Sequence, residues 1–235
     1  MFCFAQKIFG KLVNIKNKGW KYAKNGLKKF ITRKNDVVDL YGLDFKNIVG
    51  EEESPSEYPD YSLVFLSKSD RTYFESYLHL RKDIGLRRDA LEKFLNDGVL
   101  IFLVLAGGDI IGASSLAFKR HPLGGFYADF VFPDNYVYWF NLYVVPNFRF
   151  KGIANLLCKE MIRYCLRNKY SYCFGAIYPW NTVIKKFDLN HGFIYLGSVE
   201  IVYQFFLRRY SSKSKVKNNK IGIFLDIGKG KRLVI

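Results

Sequence analysis

The chain has 235 residues, 49% of them hydrophobic and 25% charged, the composition of an ordinary folded protein long enough to bury a sizeable core. Its net charge of +16 sits at the ends: residues 1–35 carry ten Lys or Arg and no acid, and residues 207–235 carry nine against Asp226 alone. The slightly acidic middle argues against a nucleic-acid-binding body, which needs its basic patch on the folded part. No apolar run is long enough for a membrane-spanning helix.

From Phe4 to Ile31 apolar residues recur at three- and four-residue steps (Phe4, Ile8, Leu12, Ile15, Trp20, Ala23, Leu27, Phe30), with lysines between them. The pattern predicts a basic amphipathic helix, weakened by Gly10, Gly19 and Gly26 at about 1 kcal/mol each. Two readings stand side by side. Residues 1–34 attach to an anionic membrane surface or acidic partner, or the apolar face packs on the chain's own domain. A mitochondrial presequence fits less well, because it favours Arg and Ser over Lys. Residues 1–44 read as this basic extension. Residues 45–60, with Glu51, Glu52, Glu53, Pro55, Glu57, Pro59 and Asp60, read as an acidic linker.

A domain over 61–209 is expected next. It opens on a short strand at 62–66. Ser69-Asp70 caps a helix running to about Lys82, and a second helix spans 87–96. The apolar run 99–106, the turn Gly107-Gly108-Asp109 and the run 110–118 read as a hairpin. Residues 121–135 read as a long aromatic loop, and 136–145 as a strand stopped by Pro146. Helical spacing returns over 153–168, a strand follows at 172–178 and a short helix at 182–189. Two strands with a turn at Gly197-Ser198 fill 193–207. Residues 210–235 read as a basic tail, mobile over 210–220 and with an edge strand at 221–227. This alternation implies an α+β (mixed αβ) fold with helices on the faces of a central sheet. Cys3, Cys158, Cys165 and Cys173 show no C-x-x-C spacing, and three lie in core-like segments. Reduced thiols of a cytoplasmic protein are favoured over a metal or disulfide framework.

The chemistry concentrates where the 136–145 strand gives way to the 153–168 helix. The first turn of a helix leaves backbone N–H groups without partners, and the macrodipole adds positive charge there. A phosphate suits such a site. Gly152 permits close approach of the backbone, Ala154 leaves the same side open, and Arg149 and Lys151 add charge at the rim.

The run Val144-Val145-Pro146 followed by Arg149, Gly152 and Ala154 resembles the GNAT superfamily signature, Arg/Gln-x-x-Gly-x-Gly/Ala after a Val-x-Pro strand end. Asn181, eleven residues before Gly192-Phe193, is similar to a second segment of that family. The resemblance covers roughly residues 62–207. It implies a GNAT-like central twisted mixed sheet of about seven strands flanked by about four helices, with basic N- and C-terminal extensions. It implies acetyl-CoA or another acyl-CoA as co-substrate and no metal. The amides of Phe150, Lys151, Gly152, Ile153, Ala154 and Asn155 would hold the pyrophosphate. The strand end Tyr143-Val144-Val145 would pair with the pantetheine arm, and Asn181 would hydrogen-bond near it.

In many family members a tyrosine four residues before that Gly protonates the departing thiolate; here the position is Asp188. An exposed aspartate is ionised at neutral pH and a poor acid. Burial must raise its pKa, or Tyr178, Tyr143 or water takes the role. Asp188 and Tyr178 are the catalytic candidates. Asp129, Asp134, His121 and His191 are available as the base that frees an amine. Phe126, Tyr127, Phe130 and Phe132 suit a sugar ring or acyl chain, and Arg120 a phosphate. The expected activity is N-acetyl transfer to a small amine in a ternary complex, with an amino sugar of a glycan precursor as one acceptor. The enzyme would sit in the cytoplasm, or at the inner face of a membrane through residues 1–34. Two alternatives stand: a CoA-binding module without turnover, and an acyltransferase for a protein or carrier protein.

Overall fold

The computed structural model describes residues 34–48, 60–123, 128–204, 207–213, 223–226 and 232–234. The expected helix over 4–31, the acidic residues 51–59, Phe126, Tyr127 and the tail 214–222 lie outside them. The chain divides into two compact units, residues 1–37 with 200–211 and residues 38–199 with 212–235. The first holds the opening residues of β1 (Lys34–Asp44), the last of β9 (Ile194–Gln204) and most of β10 (Leu207–Lys213), with β9 and β10 as neighbours.

The second unit is built on a mixed sheet. Beside the rest of β1 and β9 it contains β2 (Ser62–Leu66), β3 (Leu100–Ala106), β4 (Asp109–Phe118), β7 (Tyr136–Val144) and β8 (Tyr172–Ile177). Their order is β9-β1-β8-β7-β4-β3-β2. The β7–β8 pair is parallel, whereas β1–β8, β2–β3, β3–β4 and β4–β7 are antiparallel. The helices among the described residues are α1 (Phe74–Leu80), α2 (Arg88–Asn96), α3 (Ile153–Arg167) and α4 (Thr182–Asn190). This is the GNAT-like mixed sheet with about four helices that the sequence implied.

The helix α3 repeats Ile153, Leu157, Met161 and Cys165 at four-residue steps, and all four are buried. They pack on Phe102, Val104, Leu116, Val137 and Trp139 of the sheet, each buried side chain contributing roughly 1.5–3 kcal/mol. On β4, Ser114 accepts a hydrogen bond from the Trp139 indole on this face. Neighbouring Ser115 is bonded to Tyr77 of α1. Successive side chains of a strand point to opposite faces, so α1 lies across the sheet from α3. The cysteines Cys158, Cys165 and Cys173 are free and buried in the core.

Four sequence expectations need correction. Residues 34–44 are not part of an extension: Asp39–Asp44 pair with Ile177–Tyr172 of β8, inside the sheet. Val38, Leu40, Tyr41 and Leu43 are buried, and so is Phe45 in the turn that follows. The predicted cap Ser69-Asp70 does not start α1. The Asp70 carboxylate is taken by the backbone and hydroxyl of Thr72, and the helix begins at Phe74, where the buried Phe74–Tyr77 spacing starts. The predicted loop 121–135 contains a hairpin, β5 (Arg120–Leu123) with β6 (Ala128–Val131). Here β11 (Phe224–Asp226) and β12 (Arg232–Val234) extend β6 into a second sheet, ordered β12-β11-β6-β5. Gly197 lies within β9 and makes no turn. Among the described residues no helix is long and apolar enough to cross a membrane.

Candidate functional site

The site begins with a break in the sheet. Strands β7 and β8 pair only at Tyr136–Tyr172, Val137–Cys173 and Tyr138–Phe174, although both run on beyond that point. The cause is a bulge in β7. Ala113 of β4 faces Tyr143 and Ser115 faces Phe140, so Asn141 and Leu142 together oppose Ser114. Asn141 takes the left-handed conformation at φ 57°, which turns the rest of β7 away from β8. A pocket of about 170 Å³ opens between the diverging ends. Its walls are Trp139–Leu142 of β7, Gly175–Ile177 of β8, Tyr178, and Asn181, Ile184 and Asp188 from α4 and its cap. Gly175 lets the strands sit closely there, since a Cβ would lie 3.3 Å from the Trp139 carbonyl oxygen, a tight contact.

The free edge of β7 has a defined set of backbone groups. The Val145 N–H donates to the Ile111 carbonyl at 2.9 Å, so it points towards β4. Alternation along the strand sends the Tyr143 groups the same way and leaves those of Leu142 and Val144 on the opened edge. Of the strand residues expected to pair with pantetheine, Tyr143 and Val145 therefore turn their backbone groups towards β4, whereas Val144, with Leu142, turns them to the opened edge. The Val144 carbonyl also accepts from Arg149 Nε at 3.1 Å, which folds the arginine back on the strand end.

Beyond β7 the chain makes a short 3-10 turn at Pro146–Phe148 and reaches α3 through Arg149–Gly152. Phe150 and Gly152 both have positive φ, 63° and 82°. Phenylalanine in this region is uncommon, and this one is fully exposed, so the backbone shape and not side-chain packing sets its place. Gly152 is the N-cap of α3 and supplies no side-chain acceptor. The first-turn N–H groups of Ile153, Ala154 and Asn155 consequently face the loop uncapped, an anion-binding concavity at a helix terminus. Lys151 holds its ammonium 5.0 Å from the Phe148 ring centre at the same rim.

Gly112 of β4 anchors this helix end. A Cβ there would lie 2.6 Å from Ile153 Cγ2 and 3.3 Å from Leu157 Cδ1. Gly112→Ala is expected to cost about 1–3 kcal/mol by overpacking and to push the first turn of α3 outward. Calorimetric unfolding and CoA titration of the variant should show a lower Tm together with weaker CoA binding.

The helix α4 brings the remaining candidates to the pocket. Asn181 caps it, its side-chain oxygen accepting from the Ile184 N–H at 3.3 Å, which leaves the amide nitrogen available on the pocket side. Lys185 bonds to Asp39 of β1 and holds the helix in place. Asp188 is 3% exposed. Burial pushes its carboxyl up to about 7, so near neutral pH it is a substantially protonated acid. Tyr178 also lines the pocket but is half in solvent and stacked on Trp180 at 5.4 Å.

The four base candidates are elsewhere. His121 is buried against Phe140, Tyr138 and Phe94, with ring centres 4.0, 5.2 and 5.4 Å away. That burial lowers it to about 3 and keeps it neutral. His191 Nδ1–H donates to the Phe187 carbonyl at 2.8 Å. Asp129 pairs with Arg120 at 2.6 Å, and exposed Asp134 lies 3.6 Å from Lys119. None of the four lines the pocket. Phe130 and Phe132 pack on Phe174 as core, so they are not an acceptor platform.

A family model described as "Acetyltransferase (GNAT) family" matches residues 62–193, more than half of the chain. The chain belongs to the GNAT acetyltransferase family. The GNAT domain makes it an acyltransferase with acyl-CoA as co-substrate. No curated protein matches the chain. Solved structures similar to this GNAT chain include aminoglycoside N-acetyltransferase AAC(6')-Iy in complex with CoA. That one is 22% identical, with 57% of this chain and 91% of that one covered and a TM-score of 0.45. An aminoglycoside acetyltransferase from an uncultured soil metagenomic sample, in complex with trehalose, is 15% identical over 57% and 89%, with a TM-score of 0.44. A functionally unknown conserved protein from Staphylococcus epidermidis is 14% identical over 80% and 69%, with a TM-score of 0.49.

Proposed function

We propose that this protein is an N-acetyltransferase that moves the acetyl group of acetyl-CoA onto a small amine by direct attack in a ternary complex. The observation that carries the reading is the pocket between the parted ends of β7 and β8, adjoining an uncapped helix terminus and containing a protonatable buried carboxyl. The amides of residues 150–155 hold the pyrophosphate. The free edge at Leu142 and Val144 pairs with the pantetheine arm, and the Asn181 amide donates to it. The thioester then lies in the pocket. The amine attacks the carbonyl carbon, the C–S bond breaks, and Asp188 gives its proton to the leaving sulfur; the acetylated nitrogen gives up its extra proton to water, and the Asp188 carboxylate takes a proton back from water before the next turnover. Asp188 occupies the family's tyrosine position, and burial supplies the acidity that a solvated aspartate lacks. The amine arrives as free base after losing its proton to water at the pocket mouth, because the base candidates stand elsewhere.

Free thiol appearing from acetyl-CoA tests this reading with a panel of primary amines, amino sugars included. Release should depend on the amine. Tyr178→Phe should change kcat little, since the proton comes from Asp188; a loss as large as that of an Asp188 variant would move the acid role to Tyr178.

The basic N-terminal segment gives the same enzyme a place to work. Residues 1–33, with no acidic residue, attach it to anionic membrane surfaces. Removing them should abolish cosedimentation with phosphatidylserine vesicles while acetyl transfer in solution continues. Unchanged cosedimentation would show that another surface binds the lipid.

A further inference from the structure

Arg81 follows α1 at the start of a short 3-10 turn, Arg81–Ile84, and occupies the buried side of that helix one turn beyond Tyr77. A charged residue at a core-facing position normally brings its partners with it. This one is 5% exposed, and both Nε and Nη1 are buried without a hydrogen-bond acceptor. The nearest carboxylate oxygen, of Asp83, is 3.4 Å from Nε, and Asp83 itself is 45% exposed. It balances part of the charge without satisfying the donors. The guanidinium plane is held instead by Tyr143, whose ring centre lies 4.2 Å from Cζ. Tyr77, the other polar group beside it, already spends its hydroxyl on Ser115. The cation is thus fixed in place, stripped of most water and short of acceptors. This arrangement favours a carboxylate over a neutral group strongly.

Its location says which molecule brings the carboxylate. Tyr143 is on the part of β7 beyond its last pairing with β8, next to the edge residues Leu142 and Val144. Its ring meets Arg81 in the turn that follows α1, on the face of the sheet opposite α3. The donor's pyrophosphate is assigned to the α3 terminus, so an anion at Arg81 belongs to the other substrate.

We propose that Arg81 is the specificity residue for the acceptor and that it binds a carboxylate carried by the amine, so that the acceptor class is amino acids and their close derivatives. The inference rests on the acetyl-transfer reading given above. The incoming carboxylate completes the Nε and Nη1 donors, which have no acceptor of their own.

The test compares each of the common amino acids with its own carboxamide as acceptor, following thiol release from acetyl-CoA by the full-length protein. For the accepted side chains the carboxylate form should be preferred by about tenfold to a hundredfold in kcat/KM, mostly through the acceptor KM. In Arg81→Met the ratio should fall to near one, and Arg81→Lys should recover part of it. Equal use of acid and amide by the unaltered protein overturns the proposal and leaves acetyl transfer standing. So does a preference that survives in Arg81→Met. If only amines lacking a carboxylate are acetylated, the carboxylate assignment fails and water is the partner of the buried donors. Acetyl-CoA binding without thiol release from any amine, with or without a carboxylate, removes the transfer reading and this proposal with it.

Discussion

Gly152→Val is expected to abolish CoA binding while the domain remains folded. The residue sits at φ 82°, a conformation that costs a β-branched side chain of the order of 1–3 kcal/mol. The larger loss is functional. A valine side chain would stand over the uncapped N–H groups of Ile153, Ala154 and Asn155, where the pyrophosphate is proposed to lie, and would also pull the loop towards negative φ. Several charge-assisted hydrogen bonds disappear together, so a drop of at least about a hundredfold in affinity is expected by calorimetry. The loop lies on the surface, partly exposed, and α3 keeps its core contacts from Leu156 to Cys165, so circular dichroism should stay close to that of the unaltered protein. Undiminished affinity in a folded variant would remove the loop from the donor site.

Asp188→Asn should lower kcat by about 10²-fold or more, the usual worth of a positioned proton donor. In the unaltered protein, kcat at saturating amine should fall as pH rises through about 7, where the carboxyl loses its proton. In the variant that dependence should vanish. The stability of the unaltered protein falls over the same pH range. The folded chain holds this proton more tightly than the unfolded chain, whose aspartate has the ordinary value of 3.8. The stabilising contribution is therefore complete below about pH 4 and is lost as pH rises through about 7. An uncharged amide at this position escapes that loss, so Asp188→Asn should be more stable than the unaltered protein at pH 8 by up to about 4 kcal/mol, with the advantage gone at pH 4. Denaturant titrations at the two pH values measure the difference. A pH-independent kcat in the unaltered protein would show that Asp188 does not supply the proton.

Much of the proposed donor site was legible in the sequence because its features are local. A helix terminus, two small residues at fixed spacing and a strand-ending proline lie within a dozen positions. Asp188 was named as a candidate acid from its place in the family pattern, but its burial could not be read in this way. Asp188 belongs to a helix whose next residue, Leu189, is exposed, and nothing nearby in sequence shows that β1 and β8 close over the carboxyl. The strand β1 was itself hidden. Val38 to Phe45 lacks the alternation of a half-buried strand because both of its faces are covered, and the lysines before it lent it the look of a tail. The hairpin at 120–131 was missed because Pro122 and the glycines around it signal a loop, while its partner strand β11 lies some ninety residues further on. Asn141 carried no helical or strand signal, yet the bulge at that position makes the pocket. Arg81 likewise reads as a solvated helix end. Its i, i+3, i+7 relation to Phe74 and Tyr77 was the available sign that it faces inward.

A crystal structure of the protein with CoA bound decides between these assignments at once. The pyrophosphate should lie on the amides of residues 150–155 and the pantetheine along the Leu142–Val144 edge. The sulfur should stand between β7 and β8, within reach of the Asp188 carboxyl. CoA bound outside the β7–β8 opening, or with its sulfur turned away from Asp188, would contradict the proposed donor site and its acid.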